Sequence, residues 1–214
     1  MSVIQIVGEA VAALLSGDTE ASERLLRSLD VSALEREKED AKNFVRIASK
    51  PSTVVNSSTV RLDPHGNRTP PPSIQIEMFR RDGFTCRYKH CQRKTFIPPL
   101  FRALSLQYPD LIRWHKNWRG THPLVWLYTA SVEHIVPWAD SRSSNPEINL
   151  ITTCFWCNQI KSRRRKEELG WEIVDPVQTS WDGLTSSFCK VLSIVSESAD
   201  QTALNYFSSW RKVL

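Results

Sequence analysis

The chain has 214 residues, and 41% of them are hydrophobic, so it contains enough apolar material for a folded core and is not disordered throughout. It has no uncharged apolar run of the roughly 18 residues that a membrane-spanning helix requires. The apolar N-terminus lacks a basic start and contains Glu9, which argues against a secretory signal. We therefore expect a cytoplasmic protein without membrane contacts.

Basic side chains outnumber acidic ones by 28 to 23, which gives a net charge of +5. The excess is uneven, because residues 1–50 carry 7 basic and 9 acidic side chains whereas residues 74–175 carry 16 and 10. A basic central segment favours a polyanionic partner, since Lys and Arg contacts to phosphates release condensed counterions. A solvated basic surface without a partner is the alternative that charge alone leaves open.

The N-terminal segment is predicted to be helical, because apolar residues recur at near-helical spacing over residues 2–48. Gly17 and Asp18 interrupt this pattern, and Asp18 offers an N-cap for a second helix. Ser32, followed three residues later by Glu35, is a capping-box pattern that predicts the start of the next helix.

A proline- and serine-rich stretch follows at residues 51–73 and includes Pro70-Pro71-Pro72. It is predicted to form neither helix nor central strand, and we interpret it as a linker. The predicted organisation is a helical region 1–50, the linker 51–73, a compact domain 74–175 with an insertion at about 92–130, and a C-terminal extension 176–214.

The C-terminal extension is predicted to contain two helices, at about 185–196 and 199–213. These helices are expected to pack beside the compact domain. Cys189 lies close to Phe188 and Val191 and is interpreted as a core residue.

The other four cysteines form two close pairs, Cys86 with Cys91 and Cys154 with Cys157. In a chain without export signals, such pairs are better explained by metal than by disulfides, and zinc prefers four soft ligands in a tetrahedron. We therefore predict a structural Zn²⁺ site formed by these residues, with His90 as an alternative to Cys91. Buried free cysteines are the competing interpretation.

A second group of polar residues lies between and beside the cysteine pairs: Glu133 with His134, then Asn149, then Asn158. Here the sequence resembles the HNH endonuclease family. The family pattern is an acidic residue and a His at a strand end, a central Asn, and a His or Asn on the following helix. The cysteine pairs bracket these residues as they do in the zinc-containing members.

The resemblance covers roughly residues 74–184 and includes a lead-in from Phe79 to Cys86 and an ending from Gly170 to Ile173. It implies an α+β fold with a zinc-stapled ββα-metal core between N-terminal and C-terminal helices. The expected elements of that core are strands near 130–136 and 148–153 and a helix from about 155 to 168.

The resemblance also implies a role for each polar residue. His134 would be the general base, Glu133 and Asn158 would hold a divalent ion, and Asn149 would brace the loop between the strands. The chemistry agrees, since carboxylate and amide oxygens suit Mg²⁺ or Mn²⁺ and a histidine exchanges its proton near neutral pH. The implied reaction is metal-dependent hydrolysis of DNA to 3′-hydroxyl and 5′-phosphate ends, with restriction or anti-phage defence as an associated role.

One geometric objection concerns Glu133 and His134. Adjacent residues on a regular strand point to opposite faces, so both can reach one cleft only where the strand is irregular. Pro137 and the polar stretch 139–146 predict that the chain leaves the strand at this place.

A run of cations follows Asn158 and comprises Lys161, Arg163, Arg164 and Arg165. On a continuous helix, Asn158, Lys161 and Arg165 would share one face. We expect the cluster to contact a phosphate backbone, which positions the substrate without reading its sequence. A solvated face, partly neutralised by neighbouring glutamates, is the alternative.

The insertion at about 92–130 is rich in aromatic and basic residues. Its rings could stack on bases, but tryptophan more commonly serves as core material, and we favour that interpretation.

Two further functions stay open on sequence grounds. The chain could be a zinc-stabilised module that binds nucleic acid without cutting it, with Glu133 and His134 in structural roles. It could also be an RNA-directed or toxin-like effector subunit in which residues 1–48 dock a partner. DNA is the expected substrate and RNA the second choice, and the N-terminal helices could serve a homodimer or a partner protein.

Overall fold

The computed structural model describes residues 1–48, 68–115, 120–141 and 147–214. Within these ranges the chain has an α+β architecture, with one two-stranded antiparallel sheet among helices. The helices are α1 (Val3–Leu15), α2 (Thr19–Arg27), α3 (Val31–Ala48), α4 (Pro72–Arg81), α5 (Pro98–Gln107), α6 (Pro123–Tyr128), α7 (Trp138–Ser141), α8 (Phe155–Lys161), α9 (Thr185–Val195) and α10 (Gln201–Arg211). The strands are β1 (Ala130–His134) and β2 (Leu150–Cys154). None of the helices in the described ranges combines the length and apolar character that crossing a bilayer requires.

The boundaries of the N-terminal helices α1, α2 and α3 are each set by one or two residues. Gly17 has a φ of +85°, which glycine adopts without strain, and Asp18 caps α2 by accepting a backbone hydrogen bond of 2.8 Å. This confirms the predicted break. The start of α3 differs from the prediction, because Asp30 accepts a hydrogen bond of 2.8 Å from the N–H of Ala33. That carboxylate already satisfies a free donor of the first turn, so the predicted cap at Ser32 is wrong.

The N-terminal helices share one hydrophobic core with the rest of the described chain. Leu14 of α1 is buried in the same cluster as Phe79 of α4 and Phe188 of α9. In addition, α3 contacts α8, because the indole N–H of Trp156 donates a hydrogen bond of 3.0 Å to the backbone carbonyl of Lys38. The N-terminal helices therefore pack directly against the rest of the described chain.

The predicted linker, residues 51–73, lies outside the described residues as far as position 67. Pro72, near its end, is the first residue of α4. A proline there costs no hydrogen bond, because the first N–H groups of a helix have no partner within the helix. The expectation that this stretch contains no helix is wrong at its C-terminal end, whereas the four segment boundaries stay a prediction.

Aromatic residues of the insertion pack in the core. Phe96 and Phe101 are buried, and the centroid of the Phe96 ring lies 5.3 Å from that of Phe101 and 5.2 Å from that of Trp181. These aromatic residues therefore serve as core material, as the sequence predicts. Trp118 lies outside the described residues.

The C-terminal extension forms the two predicted helices, α9 and α10. The interpretation of Cys189 as a core residue is wrong, because its side chain is exposed. Phe188 and Val191 form the buried side of α9, and this leaves Cys189 on the side that faces solvent.

The sheet and α8 form a ββα unit. In the antiparallel pair, Ala130 lies opposite Cys154 and His134 opposite Leu150, and both strands end within two residues of the predicted bounds. The predicted helix from 155 to 168 is too long, because α8 ends at Lys161. Ser162 has a φ of +52°, which an α-helix cannot accommodate. The arginines that follow therefore lie outside the helix.

A buried carboxylate connects this unit to the end of α4. The carboxylate of Asp82 accepts hydrogen bonds of 2.8 Å from Arg87 and 2.7 Å from the N–H of Thr152 in β2. Arg81 adds two more, at 2.9 and 3.0 Å. Burial alone raises the pKa of Asp82, but these partners hold that pKa below its usual value. The segment after α4 therefore fixes the position of β2 through an ionised, fully bonded side chain.

Candidate active site and metal centre

Four cysteine sulfurs converge beside the ββα unit. Cys86 and Cys91 lie in the loop after α4, Cys154 ends β2, and Cys157 lies in the first turn of α8. The four Sγ atoms lie within 4.8 Å of one another, and those of Cys91 and Cys154 are 3.9 Å apart. Tetrahedral zinc with Zn–S bonds of about 2.3 Å spaces its sulfurs about 3.8 Å apart. The cluster therefore fits a zinc ion, as the sequence predicts.

One cation, Arg93, lies beside two sulfurs of the cluster and favours their thiolate form, the form that zinc binds. Nη1 of Arg93 lies 3.6 Å from the sulfur of Cys91 and 3.5 Å from that of Cys154. The pKa of Cys154 lies well below its usual value, because the thiols of Cys157, Cys86 and Cys91 donate hydrogen bonds to it. The pKa of Cys86 lies well above its usual value because of burial, and that of Cys157 does so because of its hydrogen bond with Cys154. An ion pair with Glu37 of α3 holds Arg93 in place.

From the sequence, either His90 or Cys91 could be the fourth zinc ligand. In the described part of the chain, the group of converging ligand atoms includes Cys91 and does not include His90. Nε2 of His90 lies 3.7 Å from the sulfur of Cys157, and its ring lies against those of Tyr88 and Trp171, with centroids 5.7 Å and 4.3 Å away. The geometry therefore favours Cys91 as the fourth zinc ligand.

A cleft of about 910 Å³ opens beside β1 and α8, and Glu133, His134 and Asn158 all line it. The cleft runs along β1, and the strand keeps its regular register through both neighbours, with Glu133 opposite Ile151 and His134 opposite Leu150, so the predicted irregularity is not observed within the strand. Other lining residues include Arg68, Gln75, Ser131, Trp138, Gln159 and Arg163. The structure thus brings together three of the four residues predicted to be catalytic.

Glu133 is buried in the wall of this cleft, with 4% of its side chain exposed. Its Oε1 accepts a hydrogen bond of 2.8 Å from Nζ of Lys161, whereas its buried Oε2 has no hydrogen-bond partner among the described residues. Burial raises the pKa of Glu133 to about 7, although the charges of Lys161 and Arg68 act in the opposite direction. A buried oxygen without a partner is costly, and a divalent cation would satisfy it.

Asn158 is oriented by two hydrogen bonds. Its Nδ2 donates to Oγ of Ser131 at 2.7 Å and to the carbonyl of Val132 at 2.9 Å. This leaves Oδ1 as the atom of the amide that can act as a metal ligand. The residues at the cleft therefore offer two oxygen donors of the kind that Mg²⁺ or Mn²⁺ binds.

Asn149 does not line the cleft but acts on the chain beside it. Its Oδ1 accepts a hydrogen bond of 2.8 Å from the N–H of Val136, and its Nδ2 donates one of 3.0 Å to the carbonyl of the same residue. The backbone carbonyl of Asn149 also accepts a hydrogen bond of 2.9 Å from Ile135. These contacts tie the two ends of the loop between the strands, which is the geometry expected of a brace.

The predicted phosphate-binding cations have four different environments. Lys161 is fully buried against Glu133, so its predicted contact with a phosphate backbone is wrong. Arg163 is exposed and lines the cleft. Arg164 donates to the carbonyl of Ile160 at 3.0 Å, and Arg165 pairs with Asp140 at 3.0 Å. The shared helix face was predicted wrongly because α8 ends before the arginines.

Sequence reasoning missed several residues of the cleft, among them Arg68 and Gln75. Arg68 and Gln75 line it, although Arg68 belongs to the stretch interpreted as a linker. No local signal marks Arg68, because Glu133 and Asn158, with which it shares the cleft, lie far later in the chain. Its charge nevertheless lowers the pKa of Glu133 against the larger effect of burial.

Comparisons with known proteins agree with this geometry. The family model of the HNH endonucleases matches residues 117–164, the part of the chain that contains β1, β2 and α8. Searches of curated proteins and of solved structures returned no match. At the level of the family, the match supports a nuclease-like function. The match confirms the resemblance to the HNH endonuclease family, and it extends over residues 117–164.

Proposed function

We propose that this protein is a cytoplasmic, metal-dependent endonuclease that hydrolyses phosphodiester bonds of DNA. The observation that carries the proposal is the convergence of His134, Glu133 and Asn158 on one cleft beside the four-cysteine cluster. Restriction or anti-phage defence is the role that we associate with this activity. The family match supports a nuclease-like function, and the basic central segment supports a polyanionic substrate.

In the proposed reaction, His134 accepts a proton from a water molecule, whose oxygen attacks the phosphorus atom. The bond from phosphorus to the 3′ oxygen then breaks, and this oxygen takes a proton from solvent water, leaving 3′-hydroxyl and 5′-phosphate ends. Glu133 and Asn158 would hold Mg²⁺ or Mn²⁺, and such an ion offsets negative charge on the phosphate. Arg163 and Arg68 are exposed and line the cleft, where they would contact the phosphate backbone.

Asn149 contributes by keeping the loop after β1 in place, so that His134 keeps its position in the lining of the cleft. The structural zinc would hold Cys154 and Cys157 at the junction of β2 and α8. These two roles concern positioning and not proton transfer.

The test is cleavage of supercoiled plasmid in the presence of Mg²⁺ or Mn²⁺ by the wild type and by His134→Ala. We expect the variant to cleave about 10² to 10⁴ times more slowly, the usual contribution of a general base, while its DNA binding in a gel-shift assay is retained. His115→Ala is the matched control, because His115 is exposed and does not line the cleft. Equal cleavage by the wild type and His134→Ala would overturn the assignment.

One observation favours a second candidate, a zinc-stabilised module that binds nucleic acid without cutting it. The ion pair between Glu133 and Lys161 already provides the carboxylate with a cation, as a purely structural glutamate would require. Binding of plasmid without cleavage under every metal condition would select this candidate. A parallel digestion of labelled RNA distinguishes an RNA-directed enzyme, which would cleave the RNA and leave the plasmid intact.

A further inference from the structure

Lys161 is a buried cation at the C-terminal end of α8, with 0% of its side chain exposed. Its ammonium group donates a hydrogen bond of 2.8 Å to Oε1 of Glu133 and another of 2.8 Å to the backbone carbonyl of His134. One side chain therefore connects α8 to two consecutive residues at the end of β1.

Stability does not explain this arrangement well. A buried ion pair adds little net stability, because the cost of removing both charges from water offsets their attraction. A well-packed apolar side chain would fill the same space without that cost. The distinctive property of Lys161 is geometric, since its long stem carries several donors to a carboxylate and a carbonyl at once.

The pair restricts the carboxylate of Glu133. With Oε1 engaged by the ammonium group, Oε2 is held in one place, buried and without a partner in the described part of the chain. Asn158 lies three residues before Lys161 on the same helix, and its amide is fixed by Ser131 and Val132. The positions of both oxygen donors are therefore set by α8 and β1 together.

We propose that Lys161 is a positioning residue for the divalent ion, which orients Oε2 of Glu133 relative to the amide oxygen of Asn158. This inference rests on the proposed function, since it assumes that these two residues hold Mg²⁺ or Mn²⁺. It replaces the phosphate contact that the sequence predicts for Lys161.

The experiment measures Mn²⁺ binding by the full-length, zinc-loaded protein, with free aqueous Mn²⁺ followed by electron paramagnetic resonance. Partners that orient metal ligands typically contribute 10- to 100-fold to metal affinity, so Lys161→Met should raise the dissociation constant for Mn²⁺ by about that factor. Zinc content and the circular dichroism spectrum should stay unchanged. Lys89→Met is the matched control, because it removes an exposed lysine–glutamate pair of 2.7 Å that does not line the cleft.

Lys161→Gln serves where Lys161→Met does not fold, since a glutamine keeps one neutral donor for the carboxylate. We expect it to weaken Mn²⁺ binding less than Lys161→Met would. Unchanged or tighter Mn²⁺ binding by a folded Lys161 variant overturns the positioning role and leaves the proposed function intact. Absence of Mn²⁺ binding by the wild type overturns the metal site itself, so the two failures are distinguishable.

Discussion

The buried carboxylate of Glu133 is predicted to lower the stability of the folded protein, although the proposed function requires it. Its pKa rises from an ordinary 4.5 to about 7, mainly because of burial. One pKa unit corresponds to about 1.4 kcal/mol, so keeping this group ionised costs the folded state about 3 kcal/mol at pH 8. Glu133→Gln mimics the protonated group, and in the absence of added divalent ions it should be more stable than the wild type by about that amount.

The dependence on pH has a definite sign. The folded state binds the proton of Glu133 more tightly than the unfolded state does, so wild-type stability falls as the pH rises from about 4.5 to about 7. The advantage of Glu133→Gln should therefore shrink from about 3 kcal/mol at pH 8 to about 1 kcal/mol at pH 5.5. Comparing variant and wild type at each pH removes the contribution of the cysteines, which both proteins share.

Urea unfolding of the zinc-loaded proteins, followed by tryptophan fluorescence, measures this difference. Added Mg²⁺ or Mn²⁺ should stabilise the wild type and leave Glu133→Gln nearly unchanged, because the ion gives Oε2 of Glu133 its missing partner. A wild type as stable as the variant at pH 8 without divalent ions would refute the reasoning. A divalent ion that stabilises both proteins equally would show that it binds elsewhere.

Two predictions concern the zinc cluster and the basic residues. Elemental analysis should find about one zinc per chain in the wild type and none in Cys154→Ser. Chelation should destabilise the fold, because binding energy at a structural zinc is folding energy. A folded, zinc-free wild type would contradict this prediction. Arg163→Ala should weaken DNA binding and reduce the slope of log affinity against log salt by about 0.9, as expected for one lost phosphate contact, in a filter-binding titration. Arg165→Ala is the control and should change this slope less, since Asp140 already neutralises the Arg165 side chain. Equal slopes for Arg163→Ala and the wild type would show that Arg163 does not contact the DNA.

The parts of the fold that could be predicted depend on signals a few residues long. Gly17 with Asp18 marks a helix break, and the spacing of Cys154 and Cys157 marks a metal-binding turn, since the local chain alone decides these features. The resemblance also selected Glu133, His134 and Asn158, and all three line the same cleft. That these distant segments meet at one place was inferred from the family pattern and not from the local sequence.

The features that could not be predicted depend on contacts between distant segments. The buried environment of Lys161 is created by β1, 28 residues earlier in the chain, so a run of cations gives no hint of it. The end of α8 at Ser162 was missed because serine does not signal a positive φ as glycine does. Arg68 was missed for the same reason as Lys161, since its neighbours in the cleft come from other elements.

The short helix α8 has one further consequence. Its consecutive residues Cys157 and Asn158 belong to two different centres, the sulfur cluster and the cleft. If the sulfur cluster holds zinc and Asn158 holds the divalent ion, as proposed, loss of zinc would displace an oxygen donor that zinc does not contact. We expect the freshly made polypeptide to acquire hydrolytic competence only after zinc has been loaded, so that maturation has a fixed order: the tightly held metal first and the exchangeable one second.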